Sequence, residues 1–179
     1  MEKVVVKITN ISNNCLKLII HFECFGDITK CLKAYQDSAG IWTIGAGTTV
    51  YPDGERVKQG DEITVDEANE YLRNDLQHAC KIVDALTTDA INQNQFDALV
   101  SFVYNLGAGN YKISTLRSFV NKNPEDYNNI IPEFLKWDRS NHRELNGLLR
   151  RRKAEAHLYM YGEVKVWFTD NDKILNNNG

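Results

Sequence analysis

The chain has 179 residues, 42% of them hydrophobic and 25% charged, the balance of a globular protein that buries one core. Its net charge is −3, and no basic stripe points to nucleic acid; the one cationic run, Arg150-Arg151-Arg152-Lys153, falls within a helical pattern. The longest apolar runs, such as Leu18-Ile19-Ile20, are far too short to cross a bilayer, so stable membrane insertion is not expected.

The chain opens on MEKVVVKITN, which lacks the apolar segment and small-residue cleavage site of a signal peptide; a cytoplasmic address is expected. Residues 12–23 predict a helix. Ser12 can cap its start, Leu16, Ile19 and Ile20 recur at helical spacing, and Glu23 stands at its end. Residues 24–63 change character, with Gly26, Gly40, Gly45, Gly47, Gly54 and Gly60 interrupting short strand-like runs and Asp53-Gly54 marking a turn. Helical periodicity returns at Thr64, which can form a capping box with Glu67. Ala68, Tyr71, Leu72, Ala79, Val83 and Leu86 then mark one apolar face of a helix over 64–86. Further helices are predicted over Asn94–Leu106, closed by Gly107, and near 115–121. Another spans Pro124–Trp137 with an interruption at Pro132, and the last spans Asn146–Tyr161, closed by Gly162. Val164, Val166 and Phe168 alternate as a short strand would, and the chain ends in a tail expected to fray, Asn176-Asn177-Asn178-Gly179.

The expected fold class is α+β. A β-rich lobe (24–63) leads through a connecting helix (64–86) into a larger helical lobe (87–162), on which helix 12–23 packs. Residues 163–179 form an extension, and a cleft between unequal lobes is the natural place for a ligand. The four cysteines, Cys15, Cys24, Cys31 and Cys80, lack zinc-site spacing, and His21, His78, His142 and His157 are scattered. Free thiols are one reading of the cysteines; among bridges, Cys24–Cys31 comes first because it closes a short loop.

The acids raise a chemical possibility. Cleaving a glycosidic bond needs a proton donor for the leaving oxygen and a second group on the far side of the sugar. A free Glu titrates at about 4.3, so a donor working near neutrality must be partly desolvated. Glu23 ends an apolar helix with Phe22 and Phe25 nearby, a setting expected to raise its pKa. Asp37 lies on the glycine-rich hairpin and Thr43 on its return strand, where the pair can hold a water. Each has a blander reading: a solvated helix end for Glu23, a turn former for Asp37, β-propensity for Thr43.

Four segments occur in order: "FE", "LKAYQDSAGIWTIGAGTT", "QNQFDALVSFVYNLGAG" and "GLLRRRKAEAHLYMYG". Together, over about residues 12–162, they resemble the phage-type, T4-like lysozymes or endolysins, glycoside hydrolase family 24. The resemblance implies a lysozyme-like fold and, over 1–162, a single lysozyme domain. It also implies hydrolysis of the β-1,4 bond between N-acetylmuramic acid and N-acetylglucosamine in bacterial peptidoglycan, generally with inversion. The catalytic positions it points to are Glu23, Asp37 and Thr43, and Asn105 falls at a cleft-lining position. Helix capping is an equal reading of Asn105, and the Arg150–Arg152 run reads as mainly structural, with pairing to Glu155 or backbone carbonyls weighed equally with a substrate contact. No metal or cofactor is called for, the partner is peptidoglycan, and a monomer is expected. The setting implied is a host cytoplasm until a separate pore admits the enzyme to the wall. Rival readings are a lytic transglycosylase and a non-catalytic wall-binding virion component of the same fold.

The chain departs from the family in three respects. Thirteen residues separate Glu23 from Asp37, against a usual eight or so, and the extra length falls in CFGDITKC. Asp27 is therefore a reserve candidate for the acid, and a Cys24–Cys31 bridge would pinch the insertion closed. Thr48 stands where many members carry a structural His. The negative net charge contrasts with many basic relatives, so wall affinity must rest on local contacts.

Overall fold

The computed structural model describes residues 7–37, 39–140, 143–144, 146–168 and 174–175. Its contacts divide into two units: Leu16–His78, and Met1–Cys15 together with Ala79–Gly179.

The first helix, α1 (Asn13–Glu23), starts where Ser12 Oγ accepts the Asn14 amide at 3.0 Å. From Leu16 onward it belongs to the hairpin unit, where Leu16, Leu18 and Ile19 are buried. The chain leaves α1 through two consecutive left-handed residues, Phe25 (φ 53°) and Gly26 (φ 80°), and the Gly26 amide returns to the His21 carbonyl at 3.0 Å. A 3₁₀ turn, Ile28–Cys31, follows. Strands β1 (Tyr35–Gln36) and β2 (Trp42–Thr43) pair antiparallel, with Tyr35 opposite Thr43 and Gln36 opposite Trp42. Elsewhere in 24–63 the described residues form only single bridges, Lys33 with Glu62, Ile44 with Thr48 and Val50 with Arg56. Regular strand is therefore shorter than the composition of 24–63 implies, because a glycine or turn intervenes every few residues. The Asp53-Gly54 turn forms as expected, with Gly54 at φ 91° donating to the Tyr51 carbonyl at 2.9 Å.

Helix α2 (Val65–Leu86) opens on the expected capping box. The Thr64 amide donates to Glu67 Oε2 at 2.8 Å and the Glu67 amide to Thr64 Oγ1 at 3.2 Å. Ala68, Leu72 and Leu76 are buried on its hairpin-unit half, Ala79 and Val83 on its helical-unit half.

In the helical unit, α3 (Gln93–Leu106) is closed by Gly107, at φ 87°, whose amide reaches the Val103 carbonyl at 2.8 Å. Every residue of α3 from Gln95 to Val103 is buried, the mark of a helix enclosed on all sides. The chain continues through α4 (Ala108–Ile113), α5 (Thr115–Lys122), α6 (Tyr127–Leu135), the hairpin β3 (Arg139–Ser140) and β4 (Arg143–Glu144), and α7 (Asn146–Tyr161). Helix α7 packs on α3 and α6. The Phe102 ring meets Phe134 at 5.6 Å and Trp137 at 5.8 Å, both edge to face.

Two expectations need correction. Pro132 does not interrupt α6, which runs through it to Leu135 with Ile130, Ile131 and Phe134 buried; apolar burial outweighs the missing amide of one proline. Residues 163–168 form no strand. Val164, Val166 and Phe168 are more buried than Glu163, Lys165 and Trp167, yet they pair in no ladder among the described residues. Helix α4 and the β3–β4 hairpin lie outside the predicted elements, both being too short to show a period. The tail 176–179 lies outside the described residues.

Candidate active site

Glu23, Asp37 and Thr43 all belong to the hairpin unit. Glu23 is the last residue of α1 and is half-buried. Phe25 lines the same cavity as Glu23 and is 82% exposed, so it borders the acid without burying it. Glu23 lines a cavity of about 440 Å³ together with Lys30, Cys31, Ala34 and Tyr35. The Cys31 thiol donates to the Glu23 backbone carbonyl at 3.9 Å.

Cys24 and Cys31 are hydrogen-bonded to each other as free thiols in this structure, where the Cys24–Cys31 bridge is not formed. Burial is the main cause pushing both thiols above their ordinary pKa. They remain protonated packing groups at neutral pH, not nucleophiles.

Asp37 sits just beyond β1. Its Oδ1 accepts the amides of Ala39 and Ile41 at 2.8 and 2.9 Å, which closes the hairpin loop. Among the described residues nothing donates to Oδ2. Thr43 is buried, and its hydroxyl donates to the Ile41 carbonyl at 3.0 Å. With that proton committed, Thr43 Oγ1 presents acceptor lone pairs. Tyr35 pairs directly with Thr43, and Asp37 lies two residues on from Tyr35, so the three side chains share one face of the hairpin.

Tyr35 is a residue that sequence reading passed over. Its phenol is pushed up to about 12, mainly by burial, with the Cys31 and Cys24 thiols and then the negative charges of Glu23 and Asp37 adding to it. Both acids therefore act on one phenol lying between them in the chain. The signal available in the sequence was its two-residue spacing from Asp37.

The reserve acid is unsuited to proton donation. Asp27 is exposed and caps the 3₁₀ turn, its Oδ1 accepting the Thr29 amide at 2.9 Å and the Thr29 hydroxyl at 2.7 Å. Those bonds hold its carboxyl below the usual range, the wrong direction for a general acid. Thr48, in the place of the family's structural His, is buried and donates to Asp75 Oδ2 on α2 at 2.5 Å.

Asn105 belongs to the other unit. It is exposed near the end of α3, and the capping there is done by Gly107. Its Oδ1 accepts from Arg152 Nη2 at 2.9 Å, which leaves the amide NH₂ to face outward as a donor. Arg152 is itself fully buried. It stands over the Phe102 ring at 5.1 Å and pairs with Glu155, Nη2 with Oε1 at 3.0 Å and Nε with Oε2 at 2.9 Å. Ser101 donates to Glu155 at 2.7 Å and Arg151 at 3.3 Å. Burial brings Arg152 down to about 10, still protonated at neutral pH. The expected pairing of this arginine run with Glu155 is thus present.

The family model for phage lysozymes matches residues 29–155. The chain belongs to the phage lysozyme family. It is 39% identical over 156 residues to the endolysin of Bacillus phage B103, covering 87% of this chain and 56% of that one. It therefore spans little more than half the length of that relative. Against the endolysin of Salmonella phage P22 it is 37% identical over 129 residues, covering 72% of this chain and 86% of the relative. The structure of the endolysin from Escherichia coli O157:H7 phage FAHEc1 matches with a TM-score of 0.75 at 33% identity, covering 87% of this chain and 96% of that one. The fold of this phage lysozyme family member is lysozyme-like, mostly helical with small antiparallel pairs, and its class is that of a lysozyme-type hydrolase. The family match takes in Asp37, Thr43 and Asn105 but begins after Glu23. The case for Glu23 rests on its place beside the hairpin.

Proposed function

We propose that this lysozyme is an inverting muramidase that hydrolyses the β-1,4 bond between N-acetylmuramic acid and N-acetylglucosamine. Glu23 protonates the glycosidic oxygen, while Asp37 Oδ2 and Thr43 Oγ1 each accept one proton of a water. The water's lone pair then faces the anomeric carbon, and Asp37 takes a proton as the bond to carbon forms. The observation that carries this reading is the shared face of Tyr35, Asp37 and Thr43, with Asp37 Oδ1 pinned by two amides so that its other oxygen stays available. Asn105 of the helical unit, its side chain held by Arg152, is by itself a candidate donor to a sugar.

The ordered motifs support the finer placement in the T4-like branch and glycoside hydrolase family 24. The enzyme acts as a monomer, and it lyses the host after a separate pore admits it to the wall. Two measurements test these points: sedimentation of the pure protein, and turbidity of expressing cells before and after the membrane is permeabilised.

Mass spectrometry of digested peptidoglycan tests the chemistry. Reducing-end muropeptides are expected, their first-formed anomer inverted by NMR. Anhydromuropeptides would overturn the reading in favour of a transglycosylase. No cleavage by pure protein would overturn it in favour of a wall-binding role.

A further inference from the structure

Phe25 is poorly explained by folding alone. It is the one non-glycine residue with positive φ among the described residues, and a bulky side chain is strained there. Its ring is also 82% exposed, so burial does not compensate the strain. Glycine is the ordinary occupant of such a position at a helix end. The loop is nonetheless well held. The Gly26 amide donates to the His21 carbonyl at 3.0 Å, the Asp27 amide to the Cys24 carbonyl at 3.0 Å, and the Lys30 ammonium to the Phe25 carbonyl at 3.1 Å. The backbone that carries the ring is thus fixed, and Phe25 lines the 440 Å³ cavity that also contains Glu23 and Tyr35.

We propose that Phe25 is a sugar-stacking platform, receiving the apolar face of a pyranose ring next to the bond that Glu23 protonates. This inference rests on the muramidase reading above. A β-linked pyranose presents axial C–H groups on one face, and these are weakly positive; the face of an aromatic ring is weakly negative and apolar. Because the cavity wall runs from Phe25 to Glu23, a ring stacked on Phe25 and an oxygen beside Glu23 belong to the same glycan strand. Phe25 lies in the segment by which this chain exceeds the family's usual Glu-to-Asp spacing. The platform is therefore a specificity feature of this chain, added where the insertion begins.

The test compares Phe25→Ala, Phe25→Gly and Phe25→Trp on soluble glycan strands for KM and kcat. Calorimetric binding of chitotetraose to the same variants, each carrying Glu23→Gln, supplies a Kd free of turnover. Ala and Gly are expected to raise KM and Kd about five- to tenfold with kcat within about twofold, and Trp to keep both near wild type. Phe25→Gly is also expected to raise Tm by relieving the backbone, so its loss of affinity is not a folding defect. Unchanged KM and Kd in Ala and Gly, or an equal loss in Trp, would overturn the platform. If wild type cleaves no glycan, the muramidase reading has failed, and the chitotetraose Kd of Phe25→Gly alone then decides the platform.

Discussion

Asp97 and Glu155 of the helical unit and Asp37 of the hairpin unit are held in opposite ways. Asp97 is buried with both oxygens occupied: Oδ1 accepts the Ser12 amide at 3.0 Å and the Gln93 side chain at 2.9 Å, and Oδ2 accepts the Ser12 hydroxyl. Glu155 is likewise buried and shared among Ser101, Arg151 and Arg152. Asp37, by contrast, gives one oxygen to backbone amides, and among the described residues nothing donates to the other. A carboxylate saturated by its own protein has no lone pair left for a substrate. One pinned at a single oxygen is both oriented and available, which is the condition for holding a nucleophilic water.

The largest expected effect sharpens that contrast. Glu23→Gln should cut turnover by about 10³-fold with Tm unchanged. Asp37→Asn should cut it by about 10²-fold or more. The Asn carbonyl can still accept the Ala39 and Ile41 amides, so the turn survives, but an NH₂ replaces the acceptor that holds the water. A large Tm loss in Asp37→Asn would place this residue with Asp97 and break the comparison. In the helical unit the order reverses. Glu155→Gln leaves two buried guanidinium groups without a counter-charge and should cost about 3–5 kcal/mol in urea unfolding.

A smaller effect concerns pH. Burial raises the Asp75 carboxyl above its ordinary 3.8, against the lowering effect of the Thr48 hydroxyl. The folded state then holds the proton to higher pH than the unfolded chain does. That contribution to stability is complete below the unfolded pKa and is lost as pH rises through the folded one. The Tm of Asp75→Asn relative to wild type should therefore climb between about pH 3 and pH 7. A difference that falls over this range would mean the hydrogen bond, not desolvation, governs the site. Smallest of all, Asp27→Asn should keep activity within about twofold with a slight fall in Tm, as befits a turn cap. Near-complete loss of turnover would make Asp27 the acid in place of Glu23.

Much of the framework was legible because its causes are local. The capping box at Thr64, the glycines after α3 and α7, and the period along α2 act within one helical turn. Those helices accordingly start or stop within a residue or so of their predicted limits. Elements without such signals escaped. Helix α4 buries only Tyr111, and the alternation at 164–168 pairs in no sheet among the described residues. The hairpin that carries Asp37 and Thr43 was legible too, since its own hydrogen bonds join residues four apart or closer.

The sequence by itself therefore determined the α+β class, the main helix limits and the hairpin that displays Asp37 and Thr43, all through contacts between near neighbours. Tertiary structure decided which acids are spent. Ser12 reaches Asp97 across 85 positions, and Arg152 reaches Asn105 across 47. It also decided that Cys24 and Cys31 touch without bridging and that Phe25 faces outward. Hydrogen-bond saturation and burial are properties of who arrives from far along the chain, and no local pattern encodes them.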